Sequence, residues 1–396
     1  MEAVRQAAPM FQRQPPIFYA GDELHRIKQD KVQRALAASE FDAFIFFKAE
    51  AVRYITDFYA KGYRPFMEPE YFVLVLKGRP PVVGYIAGSD DFRIKIKSDI
   101  QDARKLPPVA QWATTIGQIL MDYGLARCRL GTDLMPSMVC DALREAMPGV
   151  KVANAGAIWT GLTAVKHATE VALIRESIRV ADLGVEAAIA AIRPGVSEHS
   201  VAAEAVCAMR RNGSEFEPFI PLVASGYNTS MFERVATEKI IQSGEMVILD
   251  LGSVVKGYTA DLGRTVICGD PSAEQRAIYR ATHLALQEAK KLVRPGASSR
   301  QIDRRAREVI VDSGWGRYIY TSNTGHQLGY GLHGDPLVDQ STDFELVENM
   351  VICLEPRIVL NDRPDVGGAH LEDVVLVTPE GHEQLNRTPY DARLLG

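Results

Sequence analysis

The chain has 396 residues, 46% of them hydrophobic, which is enough for two or three domains with substantial cores. Its 50 acidic and 45 basic residues give a net charge of −5 and are spread along the chain, so the basic stripe that nucleic acid requires is missing. No run of 18 apolar residues occurs, the opening stretch lacks a signal-peptide core, and five scattered cysteines show no CxxC, so the expectation is a cytoplasmic protein without membrane, disulfide framework or zinc knuckle.

Residues 1–20 read as an arm, because Pro15-Pro16 opposes a helix there. From Asp22 the segment DELHRIKQDKVQRALAASEF has helical periodicity, and DAFIFFKAEAVRYITDF follows with a strand and a helical turn. YFVLVLKG and PPVVGYIAG read as strands, VAQWATTIGQILMDYG as a helix and RCRLGTD as a strand. This alternation predicts a small α/β domain over 21–160, with no glycine-rich phosphate loop. The aromatic residues Tyr54, Phe58, Tyr59, Tyr63 and Phe66 fit a core, with substrate contact as the second reading.

The stretch from Thr163 to Arg211 predicts two helices joined at Arg193-Pro194-Gly195, the second capped by Ser197. The segment AIRPGVSEHSVAAEAVCAMRRNGS aligns without gaps onto LVRPGASSRQIDRRAREVIVDSGW, 101 residues later, and superposes Ser197 on Ser298 and Gly213 on Gly314. Two similar halves are expected, each giving helices to a shared sheet built from FIPLVASG, a central hairpin, NMVICLEPRIVL and AHLEDVVLVT.

That hairpin is VILDLGSVVKGYTADLGRT, Val247 to Thr265. A turn centred on Val255 and Lys256 would set Asp250 directly opposite Asp261, with Cβ atoms roughly 4.5–5.5 Å apart. Two carboxylates so close repel unless a cation lies between them. Further donors follow: His326 in TGHQLGYGLHG, Glu355 inside VICLEPRIV and Glu372 in HLEDVVLV. A carboxylate inside such an apolar run is costly to bury unless it is paired or bound to metal.

The set DLG…TADLGRT, GHxxGxxxH, LEP and LEDVVLVT resembles the pita-bread metallohydrolases, the family of aminopeptidase P, prolidase, methionine aminopeptidase and the metal-free creatinase, over roughly residues 22–385. The resemblance implies an α+β protein: a pita-bread catalytic domain over 161–396 behind the smaller creatinase-like α/β domain. It implies two divalent ions, of manganese, iron, cobalt or zinc. Asp250 would chelate one, Asp261 and Glu372 would bridge both, and His326 and Glu355 would hold the other. The implied reaction is hydrolysis of an amide or Xaa-Pro-like C–N bond in a small or dipeptide-like substrate by a metal-bridging hydroxide. His333 would steady the oxyanion, Glu355 or Glu233 would move the proton, and a homodimer would be the working unit.

Three positions depart from the family pattern. Glu233 stands where the peptidases have a histidine 17 residues before the first aspartate, Ser322 replaces a second histidine, and His370 replaces an arginine two residues before the last glutamate. These changes around an intact donor set imply retained metal chemistry on an altered substrate. The alternative reading is a dimethylsulfoniopropionate-lyase-like enzyme, since those lyases also lack the histidine and have a tail similar to RTPYDARLLG. Gly252, where they carry an aspartate, and the presence of His333 rank it second.

Overall fold

A computed structural model describes residues 23–58, 70–97, 100–231, 235–319 and 323–396, which fall into two compact units, Met1–Leu162 and Thr163–Gly396. In the first unit, six strands, β1 (Ala43–Phe46), β2 (Tyr71–Leu76), β3 (Val82–Tyr85), β4 (Asp102–Lys105), β5 (Cys128–Thr132) and β6 (Val150–Asn154), form one mixed sheet in the order β4-β3-β2-β1-β5-β6. The central strands are continuous apolar runs, as strands covered on both faces should be. Helices α1 (Glu23–Ala38), α2 (Ala49–Thr56), α3 (Gly88–Lys97), α4 (Trp112–Asp122) and α5 (Ser137–Ala146) accompany them, and α6 (Gly156–Ala164) follows β6. Ile45, Phe72, Leu74, Trp112 and Ile116 belong to one buried cluster. Tyr54 and Phe58 are buried, Tyr54 against Trp159 and Phe58 against Tyr71, so both are core residues; Tyr59, Tyr63 and Phe66 lie outside the described residues.

The second unit begins with the expected helix pair, α7 (Ala168–Ala191) and α8 (Glu198–Arg211), and Ser197 Oγ accepts from Ser200 N as the cap of α8. The pair recurs as α9 (Ala273–Lys290) and α10 (Ser299–Asp312), with Ser298 Oγ capping Gln301 N. The strands do not form the single shared sheet expected. Among the described residues β7 (Leu222–Ser225), β8 (Glu245–Leu251) and β11 (Leu262–Cys268) make a three-stranded sheet in the order β11-β8-β7, with the short ribbon β9 (Val254–Val255) and β10 (Tyr258–Thr259) at the hairpin tip. A five-stranded sheet, β13-β12-β14-β17-β18, uses β12 (Asn323–Gly329), β13 (Gly331–Asp339), β14 (Val351–Leu354), β17 (Asp373–Thr378) and β18 (Gly381–Gln384). The two-stranded pair β15 (Arg357–Val359) and β16 (Gly368–His370) lies between β14 and β17 in sequence and, among the described residues, forms its own ladder, with an isolated bridge from Ile358 to Ile319. The strand-breaking residues Gly252-Ser253 and Glu355-Pro356 divide what the apolar pattern joins.

The register of the central hairpin also differs from the expectation. Its turn residues are Lys256 (φ 50°) and Gly257 (φ 84°), the paired positive dihedrals of a two-residue hairpin turn whose twist matches the flanking strands. Tyr258 therefore pairs with Val255, and Asp250 faces Gly263 instead of Asp261. Asp261 lies two positions from Gly263, so the aspartates are diagonal neighbours on one face.

The C-terminal tail is held as structure. Thr388 donates to Asp182, Tyr390 packs over the Arg264 guanidinium, and Asp391 accepts from Ile267 N before the short helix α11 (Ala392–Leu395). All five cysteines are free thiols, and among the described residues no helix is long and apolar enough to cross a membrane.

Candidate metal centre

Four strand ends and the middle of β12 in the second unit deliver the predicted donors to one place. Asp250 comes from β8, Asp261 from the residue before β11, His326 from β12, Glu355 from the residue after β14 and Glu372 from the residue before β17. Backbone bonds fix the loop-borne members: Glu355 N donates to Thr324 O at 2.7 Å, and Glu372 N to Gly263 O at 3.0 Å. All five are buried. His326 Nδ1 lies 3.1 Å from Gln327 O, which fits an Nδ1–H donor and leaves the Nε2 lone pair facing Asp261 Oδ2 at 3.6 Å and Glu355 Oε1 at 3.7 Å.

These separations exceed a hydrogen bond, yet suit two atoms that share an ion about 2.0–2.2 Å from each. Asp250 Oδ1, Asp261 Oδ1, His326 Nε2 and both Glu372 oxygens are buried with no hydrogen-bond partner among the described residues. Buried polar atoms normally find partners, so an unpartnered cluster of acceptors is what a cation site requires. The donor chemistry, four carboxylates and an imidazole, suits a divalent metal, and Asp250, Asp261, His326 and Glu372 each fall in groups of three side chains close enough to share an ion.

Without metal the electrostatics are unfavourable. Burial, followed by the Asp250 and Glu355 charges, holds Asp261 well above the usual carboxylate range, and burial with Asp261 and Glu355 does the same to Glu372. Burial pushes Asp250 up to about 6, against the pull of Arg357.

Three neighbours were not assigned to this donor set by the sequence. Arg357, on β15, reaches Glu355 and lies 3.7 Å from Asp250 Oδ2; its burial penalty is outweighed by Glu355 and Asp250, so it stays cationic. His370 stands directly across β16 from Arg357, also facing the carboxylates, and burial followed by Arg357 lowers its pKa well below the usual imidazole value. Cys353 pairs with His326 across the β12–β14 ladder, and burial followed by the Glu372 and Asp261 charges keeps its thiol protonated. The signal for the first two was present: two polar residues in short, otherwise apolar strands, Arg357 two places after Glu355 and His370 two places before Glu372.

His333, on β13, has its ring edge-on to His326 with centroids 4.5 Å apart. It keeps an exposed edge, yet loss of hydration by surrounding atoms and then the His326 ring lower its pKa to about 4, so it is neutral at pH 7. Glu233 and Ser322 lie outside the described residues. Among the described residues, the buried Glu198 accepts from Ser225 N, Ser225 Oγ and Asn228 Nδ2 and from Thr237 N and Oγ1.

Comparison with known proteins matches residues 172–379 to metallopeptidase family M24 and residues 28–162 to the creatinase/prolidase N-terminal domain. A Xaa-Pro dipeptidase of Pyrococcus horikoshii is 35% identical over 224 residues, 57% of this chain and 63% of that protein. One of Pyrococcus furiosus is 36% identical over 227 residues, 57% of this chain and 64% of that protein. The aligned part thus spans somewhat less than two thirds of these relatives. The solved structure of the Pyrococcus horikoshii prolidase superposes with a TM-score of 0.79 at 26% identity, over 92% of this chain and 99% of that one. The prolidase from Pyrococcus furiosus gives 0.77 at 27%, over 90% and 99%.

Proposed function

Because the chain belongs to metallopeptidase family M24, we propose that it is a metal-dependent hydrolase of an amide or Xaa-Pro-like C–N bond in a small, dipeptide-like substrate. The α+β pita-bread architecture with a creatinase-like N-terminal domain, expected from the motifs, is borne out by these matches. The observation that carries the functional reading is the buried, unpartnered set of oxygens on Asp250, Asp261 and Glu372 converging with His326 Nε2.

In this reading Asp250, Asp261, His326, Glu355 and Glu372 would together hold two divalent ions, Asp250 serving one, His326 and Glu355 the other, and Asp261 and Glu372 both. Manganese, iron, cobalt or zinc held there would supply Lewis acidity towards water and towards the scissile carbonyl. The protein's own groups do the rest. His333, neutral and at the open edge beside His326, donates its ring N–H to the carbonyl oxygen as negative charge develops there. Glu355 or Glu233 receives the proton of the attacking water and returns it to the leaving nitrogen. Arg357 holds the Glu355 and Asp250 carboxylates against their mutual repulsion. A homodimer belongs to the same proposal, and sedimentation tests it.

The decisive experiment strips the protein of metal, reloads it with each candidate ion, and assays Xaa-Pro dipeptides, cyclic amides and dimethylsulfoniopropionate. Metal-restored cleavage of an amide supports the proposal. Failure to bind any transition ion removes its basis, and release of dimethyl sulfide replaces hydrolysis with elimination. The substitution Glu233→His is expected to raise Xaa-Pro cleavage; an unchanged or lower rate would remove Glu233 from the proton path.

A further inference from the structure

His370 is placed with unusual rigidity for a residue with no role in the mechanism above. Its backbone N donates to Thr265 Oγ1 at 2.9 Å, and the same hydroxyl donates to its carbonyl oxygen at 2.8 Å. Its ring occupies the space above Gly263, where a Cβ would come within 2.5 Å of Cε1 and 2.6 Å of Nε2. A side chain at 263 is thus incompatible with this ring position, and Gly263 is the residue that faces Asp250 across the hairpin.

The ring is 3% exposed and looks into the carboxylate cluster with both nitrogens. Nδ1 lies 3.7 Å from Asp250 Oδ2, while Nε2 lies 3.6 Å from Glu355 Oε2 and 3.9 Å from Glu372 Oε2. Nε2 has no hydrogen-bond partner among the described residues. None of these contacts is a hydrogen bond, although a buried imidazole among carboxylates could form one by a small rotation. The two Nε2 separations are those of donors set around a common ion, each about 2.0–2.2 Å from it, while Nδ1 faces Asp250. Asp250, His370 and Glu372 each offer a ligand atom within 4.8 Å of the others, as do Asp261, His326 and His333 on the other side of the cluster.

We propose that His370 is itself a metal ligand, binding through Nε2 beside Glu355 and Glu372 with Nδ1 turned towards Asp250, so that the centre carries a second imidazole besides His326. The inference rests on the metal-centre reading given above. Arg357, opposite on β15, supplies the fixed positive charge at this wall, so His370 adds a donor without adding charge. A second imidazole favours cobalt and zinc over manganese, which prefers oxygen donors.

The test uses the full-length protein loaded with Co²⁺ and labelled with ¹⁵N-histidine, read by paramagnetic proton NMR. A cobalt-bound imidazole shows a strongly shifted, exchangeable ring N–H signal. At least two such signals are expected in the unaltered protein, one of which disappears in His370→Gln and a different one in His326→Gln. Co²⁺ affinity should fall about 100-fold or more in His370→Gln, and Mn²⁺ affinity by a smaller factor. If His370→Gln fails to fold, the labelled unaltered protein decides alone: a single shifted signal overturns the proposal. Retention of every signal in a folded His370→Gln overturns it as well, while the metal-centre reading stands. Absence of bound Co²⁺ in the unaltered protein removes both.

Discussion

Replacing Gly263 with alanine is expected to damage the site through packing alone. The added Cβ would meet His370 Cε1 at 2.5 Å, Nε2 at 2.6 Å and Glu372 Cβ at 3.0 Å, whereas carbon atoms in contact rest about 3.5–4.0 Å apart. The ring would have to retreat by about 1 Å, but it is buried and its backbone is tied to Thr265 from both sides. Overpacking of this kind costs about 1–3 kcal/mol. For a unit of this size that is a fall in Tm of roughly 2–12 °C. Calorimetry on metal-free protein isolates the packing effect. A double-mutant cycle identifies the obstacle: in a His370→Ala background the cost of Gly263→Ala should fall by at least half, leaving only the contact with Glu372. An equal cost in both backgrounds would refute the assignment of the His370 ring to the space above Gly263.

Two other outcomes follow from groups away from that contact. Asp57 binds both His25 and the buried Lys28; burial raises its pKa, but the His25 hydrogen bond and the Lys28 charge outweigh this and leave it below the ordinary value of 3.8. A depressed carboxyl contributes stability above its unfolded pKa and loses it as pH falls through the folded one. Asp57→Asn should therefore cost about 1–3 kcal/mol at pH 7 by urea denaturation and progressively less below pH 4; a constant difference would contradict the ion-pair account. His333→Ala should lower kcat by about 10²–10³ while metal content is unchanged. Metal lost in step with activity would instead make His333 a ligand.

Glu355 and Glu372 stood out in the sequence as candidate donors because a buried carboxylate in an apolar strand has few explanations. Glu355 inside VICLEPRIV stands out on that ground without any knowledge of the fold. The helix pair α7–α8 was legible through its Pro-Gly turn and serine cap. Register was harder, since a turn displaced by one residue changes every cross-strand partner, and only the positive φ angles of Lys256 and Gly257 fix it. In the first unit, DARK and VKVAN are the two edge strands β4 and β6, whose polar, half-exposed residues carry too weak an alternation to be read as strands. Arg357 and His370 were invisible as a pair because their meeting depends on β15 and β16 hydrogen-bonding to each other, which neither segment encodes alone.

The repeat seen in the sequence accounts for where the four buried carboxylates lie. Helices α8 and α10 have 14 residues each and begin 101 residues apart. Each is preceded by the same exchange with a returning segment: Gly195 N to Ile241 O at 3.0 Å and Ile241 N to Val196 O at 2.8 Å, against Gly296 N to Leu346 O and Leu346 N to Ala297 O, both at 2.8 Å. The partners Ile241 and Leu346 are 105 residues apart, so the helix-to-strand connection is four residues longer in the second half. Asp250 and Glu355 are also 105 apart, each at the end of the strand that follows, and Asp261 and Glu372 each stand one residue before the antiparallel neighbour of that strand. The four carboxylates are therefore two copies of one arrangement, a strand-end acid and a strand-start acid, facing each other across the two halves. His326 and His370 break that equivalence, since one enters from β12 of the five-stranded sheet and the other from the separate β15–β16 pair. The placement of the carboxylates follows from the repeat; the two halves differ in that the first supplies the shorter Asp250 and Asp261 and the second the longer Glu355 and Glu372, and in the imidazoles and Arg357.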